Sequence, residues 1–118
     1  TGTALEQLYA ECGRSFATPY LTVVPPFYAE PGYIDAFAAI GRPRLAAFAP
    51  DHVLFSFHGL PERQIRKADA TGTHCLASAD CCERADVQRG ANCYRAQCHR
   101  TATLLAQALD LPKEKWTM

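Results

Sequence analysis

The sequence predicts an α/β domain, a parallel sheet with helices on both faces, interrupted by one cysteine-rich loop. Helical and strand-forming stretches alternate along the 118 residues, and such alternation builds parallel sheets through helical crossovers. The strongest strand, His52 to Phe57, is a nearly continuous apolar run of the kind that needs cover on both faces. Five cysteines (Cys75, Cys81, Cys82, Cys93, Cys98) crowd into one stretch that breaks the alternation and marks an insert over residues 69–92.

The elements follow in order. Thr3-Ala-Leu-Glu6 has capping-box spacing, and Leu5, Leu8, Tyr9, Cys12 and Phe16 recur at helical intervals, so a first helix with one buried face is expected. Cys12 on that face reads as a small core thiol. Tyr20 to Val24 is a short β-prone run stopped by Pro25-Pro26, which predicts a buried strand feeding a loop. Pro31 suits the first turn of a second helix, with Ile34, Phe37, Gly41, Leu45 and Phe48 on one stripe. Pro43 lies inside it and predicts a kink or break near Gly41, because a mid-helix proline loses an amide bond and clashes with the preceding turn. After the insert, Asn92 is placed to cap a third helix whose stripe runs through Tyr94, Cys98, Thr101, Leu105 and Ala108 and ends near Leu111-Pro112. Trp116 to Met118 reads as the start of another strand.

Twelve basic and twelve acidic residues cancel, and no Lys/Arg run supplies the electrostatic footprint of a nucleic-acid binder. The expected partner is a small molecule. No apolar run approaches the ~18 residues of a membrane span and no signal-peptide pattern opens the chain, so a soluble, cytoplasmic protein is expected. A start at Thr1 and a strand beginning at the last residues suggest a partial domain, residues 1–118 being a piece of a longer chain. The cysteines sit in otherwise ordinary helix-and-strand sequence, which favours a reducing compartment and a metal site over disulfides.

Chemistry is expected at the carboxyl ends of the strands, where α/β sheets gather their ligands. Leu54-Phe-Ser-Phe-His-Gly-Leu-Pro61 puts His58 at that edge, and the run closely resembles the Ser-x-His-Gly-[Leu/Val/Ile]-Pro signature of ferrochelatases. Three weaker matches keep register with it. Thr1-Gly-Thr resembles the end of the family's Thr-rich linker, Pro31-Gly-Tyr-Ile-Asp35 its helix opening, and Tyr94-Arg-Ala-Gln-Cys-His-Arg-Thr101 the helix after its active-site loop.

The resemblance implies a Rossmann-like, chelatase-like version of the predicted fold and an enzyme that inserts ferrous iron into protoporphyrin IX to form protohaem. It implies that His58 takes pyrrole protons, binds the incoming metal, or both; an imidazole suits either role because it offers a neutral lone pair near neutral pH. Ser56 of the same motif and Tyr28, after Pro25-Pro26-Phe27, are implied as porphyrin contacts. The macrocycle must be bent so that its nitrogens face the metal, and binding energy from the cleft walls supplies that distortion. The family's second key group, a glutamate, and its first porphyrin-binding half fall outside these residues, so the fragment alone is expected to be inactive. Peripheral membrane contact is left open.

About two dozen residues separate the His58 loop from the next helix, far above the usual ~4 to 6. The spacing C-x5-C-C-x10-C-x4-C lacks the paired C-x2-C knuckles of structural zinc and the ferredoxin runs, so spacing alone names no metal. The resemblance implies a 2Fe-2S cluster, with zinc as the rival. The favoured ligands are Cys75, Cys81, Cys82 and Cys93. Cys93 falls in the first helical turn, where helix-end amides suit an anionic centre. Cys98 lies about 140° around the helix from it and reads as a core thiol. The alternative set uses Cys98 and one of Cys81 and Cys82. His74 and His99 read as solvated neighbours, and Arg63, Arg66 and Lys67 as a solvated face. A rival reading makes the chain a metal-binding or redox-sensing module presented on an α/β scaffold; another has a related tetrapyrrole chelatase, differing in metal or macrocycle.

Overall fold

A computed structural model describes residues 2–14, 16–85 and 92–118. Helix α1 spans Gly2–Gly13, α2 Pro31–Phe48, strand β1 Val53–Leu54, α3 Glu62–Lys67 and α4 Tyr94–Ala108; a 3-10 turn at Lys113–Lys115 leads into strand β2 at Trp116–Thr117. No helix among the described residues is long and apolar enough to cross a membrane. Residues 86–91 of the cysteine-rich loop lie outside the description.

The sheet is the main departure from expectation. In place of a multi-stranded parallel sheet with helices on both faces, the described residues form one open, two-stranded parallel sheet, with Val53 opposite Trp116 and Leu54 opposite Thr117. A strand exists by pairing its amides and carbonyls, and the run His52 to Phe57 finds partners for a short stretch. Its ladder ends where the Phe55 amide donates to the Thr117 carbonyl at 2.9 Å. Around it, Phe55 meets Trp116 edge-on at 5.5 Å and Lys113 lies 4.2 Å from the Trp116 ring. Tyr20 to Val24 pairs with nothing in a sheet, and Tyr20 and Val24 are fully or largely exposed. The one strand pair present is parallel, with α3 and α4 falling between its strands in sequence.

Packing is mainly helix on helix, α2 against α4. Ile34 and Ala38 of α2 are buried, as are Ala96, Cys98, Thr101, Ala102, Leu105 and Ala106 of α4. Three of these, Cys98, Thr101 and Leu105, belong to the stripe read from sequence. The two helices approach closely at Gly41, where an added Cβ would stand 3.1 Å from Leu109 Cδ2. Arg42 also donates to the Ala108 carbonyl and pairs with Asp110 at 2.8 Å. These contacts fix the two residues before Pro43, and α2 runs through the proline without the expected break.

Helix ends differ from the sequence expectation in detail. α1 begins at Gly2, so Thr3 sits inside the helix and not at its cap, and α1 buries none of its residues. Leu8 and Tyr9 of the expected buried stripe are exposed. α4 is preceded by Cys93 in extended conformation, one residue after Asn92. It closes with Asp110 at φ 55°, the Leu111 amide bonded to Ala106 O at 2.9 Å and the Asp110 amide to Gln107 O at 3.1 Å. That double bond pattern is a Schellman closure, with an aspartate in the left-handed position that glycine usually fills.

The cysteine loop has its own small core. Ile65 of α3, Cys75, Cys93 and Ala96 are buried together, with Leu76, Cys82 and Ala85 packed against them. The loop is organised by a carboxylate: Asp69 accepts the Thr71 hydroxyl at 2.7 Å and the amides of Thr71, His74 and Cys75 at 3.0, 2.9 and 2.8 Å. A second tie runs from His74 Nε2 to the Cys81 carbonyl at 2.8 Å.

Candidate functional site

Beyond β1 the chain continues through Phe55-Ser-Phe-His58, turns at Gly59 and enters α3 after Pro61. This segment and the first turns of α4 enclose a mostly apolar cavity of about 350 Å³, within the size range of small-molecule sites. His58 is exposed and lines it, together with Ser56, Tyr94, Arg95, Cys98 and Met118. The imidazole therefore stands at an opening beyond the carboxyl end of β1.

Tyr94 joins the two walls. The Cys98 thiol beside its hydroxyl, and then burial, push the phenol above its usual range, while the His58 backbone amide opposes that shift. Burial pushes Cys98 up in turn, and the Tyr94 hydroxyl works against it. Tyr28 is placed elsewhere: half-buried in the turn before α2, its carbonyl accepts the Thr101 hydroxyl at 2.8 Å, and it does not line the cavity.

The cysteines stand behind this wall. Cys75, Cys81 and Cys93 are buried and Cys82 is half-buried. Cys81 Sγ and Cys82 Sγ are 3.9 Å apart, and Cys75 and Cys93 are buried in one cluster. Burial first, then the Cys93 contact, pushes the Cys75 thiol up to about 11. Burial takes Cys82 up to about 12 against the opposing charge of Arg95. Arg95 Nη1 points at Cys81 Sγ, 3.9 Å away. Among the described residues no group of three or more His, Cys, Asp or Glu side chains closes around one point as a metal ion requires.

The family model for ferrochelatase matches residues 1–118, the full length of the chain. The chain belongs to the ferrochelatase family. It is 51% identical over 118 residues to a ferrochelatase of Pseudomonas fluorescens (strain Pf0-1), an alignment covering 100% of the chain and 34% of that protein. It is 47% identical over 116 residues to one from Azotobacter vinelandii and 41% identical over 117 residues to one from Pseudomonas putida, each covering 98% of the chain and 34% of the relative. The chain thus spans about a third of the length of these curated relatives. No solved structure matches it.

In this ferrochelatase-family chain, His58 and Ser56 line one cavity, Cys75 and Cys93 share a buried cluster against which Cys82 packs, Cys81 lies beside Cys82, and Tyr28 is not among the residues lining the cavity. Two histidines differ from the sequence reading. His74 is half-buried with a ring nitrogen on a backbone carbonyl, and His99 is half-buried and depressed below the usual imidazole range, first by burial and then by the Arg95 charge. Asp69 and Arg95 went unread in the sequence. Asp69-x-Thr71 is a turn-forming pattern in which the carboxylate bonds the backbone two residues on, and that signal was available. Arg95 carries no such local signal, since its role depends on two segments meeting.

Proposed function

We propose that the chain is part of an enzyme inserting ferrous iron into protoporphyrin IX to form protohaem, and that His58 accepts pyrrole protons or receives the metal during insertion. The observation that carries the reading is the exposed imidazole at the mouth of an apolar cavity, in a chain of the ferrochelatase family. Phe55, Phe57, Leu60 and Ile65 give that cavity a greasy wall for one edge of a flat macrocycle, and Ser56 sets a hydroxyl beside the imidazole. Tyr28, tied to α4, is proposed as an outer contact. The chain by itself is proposed to be inactive, because a general base without its opposite wall cannot hold the ring in reactive geometry.

The test uses the full-length enzyme. His58→Ala should cut turnover by about 10² to 10⁴, the usual contribution of a positioned proton acceptor, while porphyrin binding by fluorescence quenching persists. Wild-type turnover in the variant would end the proposal.

We further infer that Cys75, Cys81, Cys82 and Cys93 hold a 2Fe-2S cluster, which would supply a one-electron couple and a fixed negative charge. The Cys81–Cys82 approach and the shared burial of Cys75, Cys93 and Cys82 support this over the set containing Cys98, which lines the His58 cavity. Zinc is the competing occupant. Anaerobic purification, visible absorption and metal analysis separate the two, and full retention of the cluster in Cys82→Ser would remove the proposed ligand set. A reducing cytosol is the compartment in which such thiols stay available as ligands.

A further inference from the structure

The cavity that holds His58 is mostly apolar, and of the side chains lining it Arg95 alone carries a fixed charge. Arg95 sits in the first turn of α4, half-buried, one residue after Tyr94. Among the described residues no carboxylate forms an ion pair with it. What the guanidinium does meet is a weak acceptor, with Nη1 3.9 Å from Cys81 Sγ. A thiol sulfur is a poor partner for a group that offers five N–H donors in a fork shaped for a carboxylate. The positive charge is felt at two neighbours: it works against burial at Cys82 and adds to burial at His99. A cation held partly out of water without an anion is costly, and a ligand that brings the anion removes that cost.

We propose that Arg95 determines specificity in the His58 cavity by pairing with a carboxylate on the edge of the bound ring, a refinement that rests on the reading of the site given above. The cavity then takes porphyrins that carry an acidic side chain in preference to neutral ones of the same shape. Phe55, Phe57, Leu60 and Ile65 select for a flat apolar ring, but apolar contact is non-directional and leaves open how the ring is turned. One charged group supplies the direction. The acidic edge is drawn toward α4, which carries Arg95, while the imidazole stands on the segment beyond β1.

The experiment uses the full-length protein and reads binding by the quenching of porphyrin fluorescence. The probes are metal-free protoporphyrin IX and its dimethyl ester, in the same detergent. Arg95→Met removes the charge and keeps an apolar stem. The dissociation constant of the free acid should rise about tenfold in this variant, the lower end for a hydrogen bond to a charged group because the arginine is partly solvated. That of the ester should stay as in the wild type. Arg95→Lys, a point charge without the fork, should recover part of the acid's affinity. A merely structural role would weaken acid and ester together. Equal weakening of the two probes, or an unchanged affinity for the free acid in Arg95→Met, overturns the proposal and leaves the reading of the site standing. A wild-type protein that binds neither probe overturns that reading and the proposal with it. Should Arg95→Met fail to fold, Arg95→Gln, polar but uncharged, carries the same comparison with the same expected loss.

Discussion

Replacing Tyr94 by phenylalanine removes a single oxygen from the wall of the cavity and leaves the ring. That oxygen stands between α4 and the backbone at His58, close enough to both for the His58 amide to lower the phenol and the Cys98 thiol to raise it; the expectation is that it accepts the His58 amide. A hydrogen bond of this kind contributes about 1 kcal/mol net. If the bond serves to hold His58 in reactive position, the same amount is lost from the transition state, and kcat of the full-length enzyme falls about fivefold. Porphyrin KM should move little, because the aromatic face that meets a ligand is retained. The assay is anaerobic steady-state metallation followed by the absorption change of the porphyrin. A second readout is the reactivity of Cys98 toward a small alkylating agent in single-cysteine background, which should fall at fixed pH as the thiol loses the contact that lowers it. An unchanged kcat in Tyr94→Phe, or a loss carried wholly by KM, would refute the positioning argument.

Leu105, 8% exposed between α2 and α4, should cost about 2 to 4 kcal/mol when cut to alanine, read as a lower urea midpoint at unchanged slope. A loss under 1 kcal/mol would mean that the two helices do not form the main core. The metal-free protein should lose stability as pH rises from 9 toward 11. Cys75 is raised from 9.0 to about 11 in the folded state, so the native form binds more protons than the unfolded one across that window and its contribution, complete below pH 9, disappears above it. Denaturant midpoints that stay flat or climb over this interval would contradict the burial of the thiol. Asp69→Asn removes the charge that holds the Thr71, His74 and Cys75 amides, and Cys75 should then react faster with Ellman's reagent in the metal-free protein. An unchanged rate would show that the cysteine loop is organised by something else.

How far the sequence could be read depended on whether an element's partners were local. α4 was legible because its stripe of Cys98, Thr101 and Leu105 is buried by one neighbouring helix, and periodicity reports that directly. The strands were not. Apolar runs such as Tyr20 to Val24 state a preference for pairing, but a ladder needs a second segment, and the described residues offer one short partner to Val53 and Leu54. The Pro43 break was a local inference overruled by packing at Gly41 and Arg42. His58 was singled out by its motif, and it lines the cavity. Asp69 was readable from its turn pattern with Thr71, whereas Tyr94 and Arg95 act between separate segments, Tyr94 beside His58 and Cys98 and Arg95 beside Cys81. Residues of that kind are assigned by geometry, because composition and spacing treat them as ordinary polar positions.

The central claim is that the His58 imidazole performs the proton or metal step in the cavity beyond β1. It is tested most directly by supplying the missing ring from solution. In the full-length His58→Ala enzyme, added imidazole should restore a saturable part of porphyrin metallation, rising with pH as the free base accumulates, while leaving the wild-type rate unchanged. A His58→Ala enzyme that binds porphyrin normally and turns over at the wild-type rate without any imidazole would contradict the account.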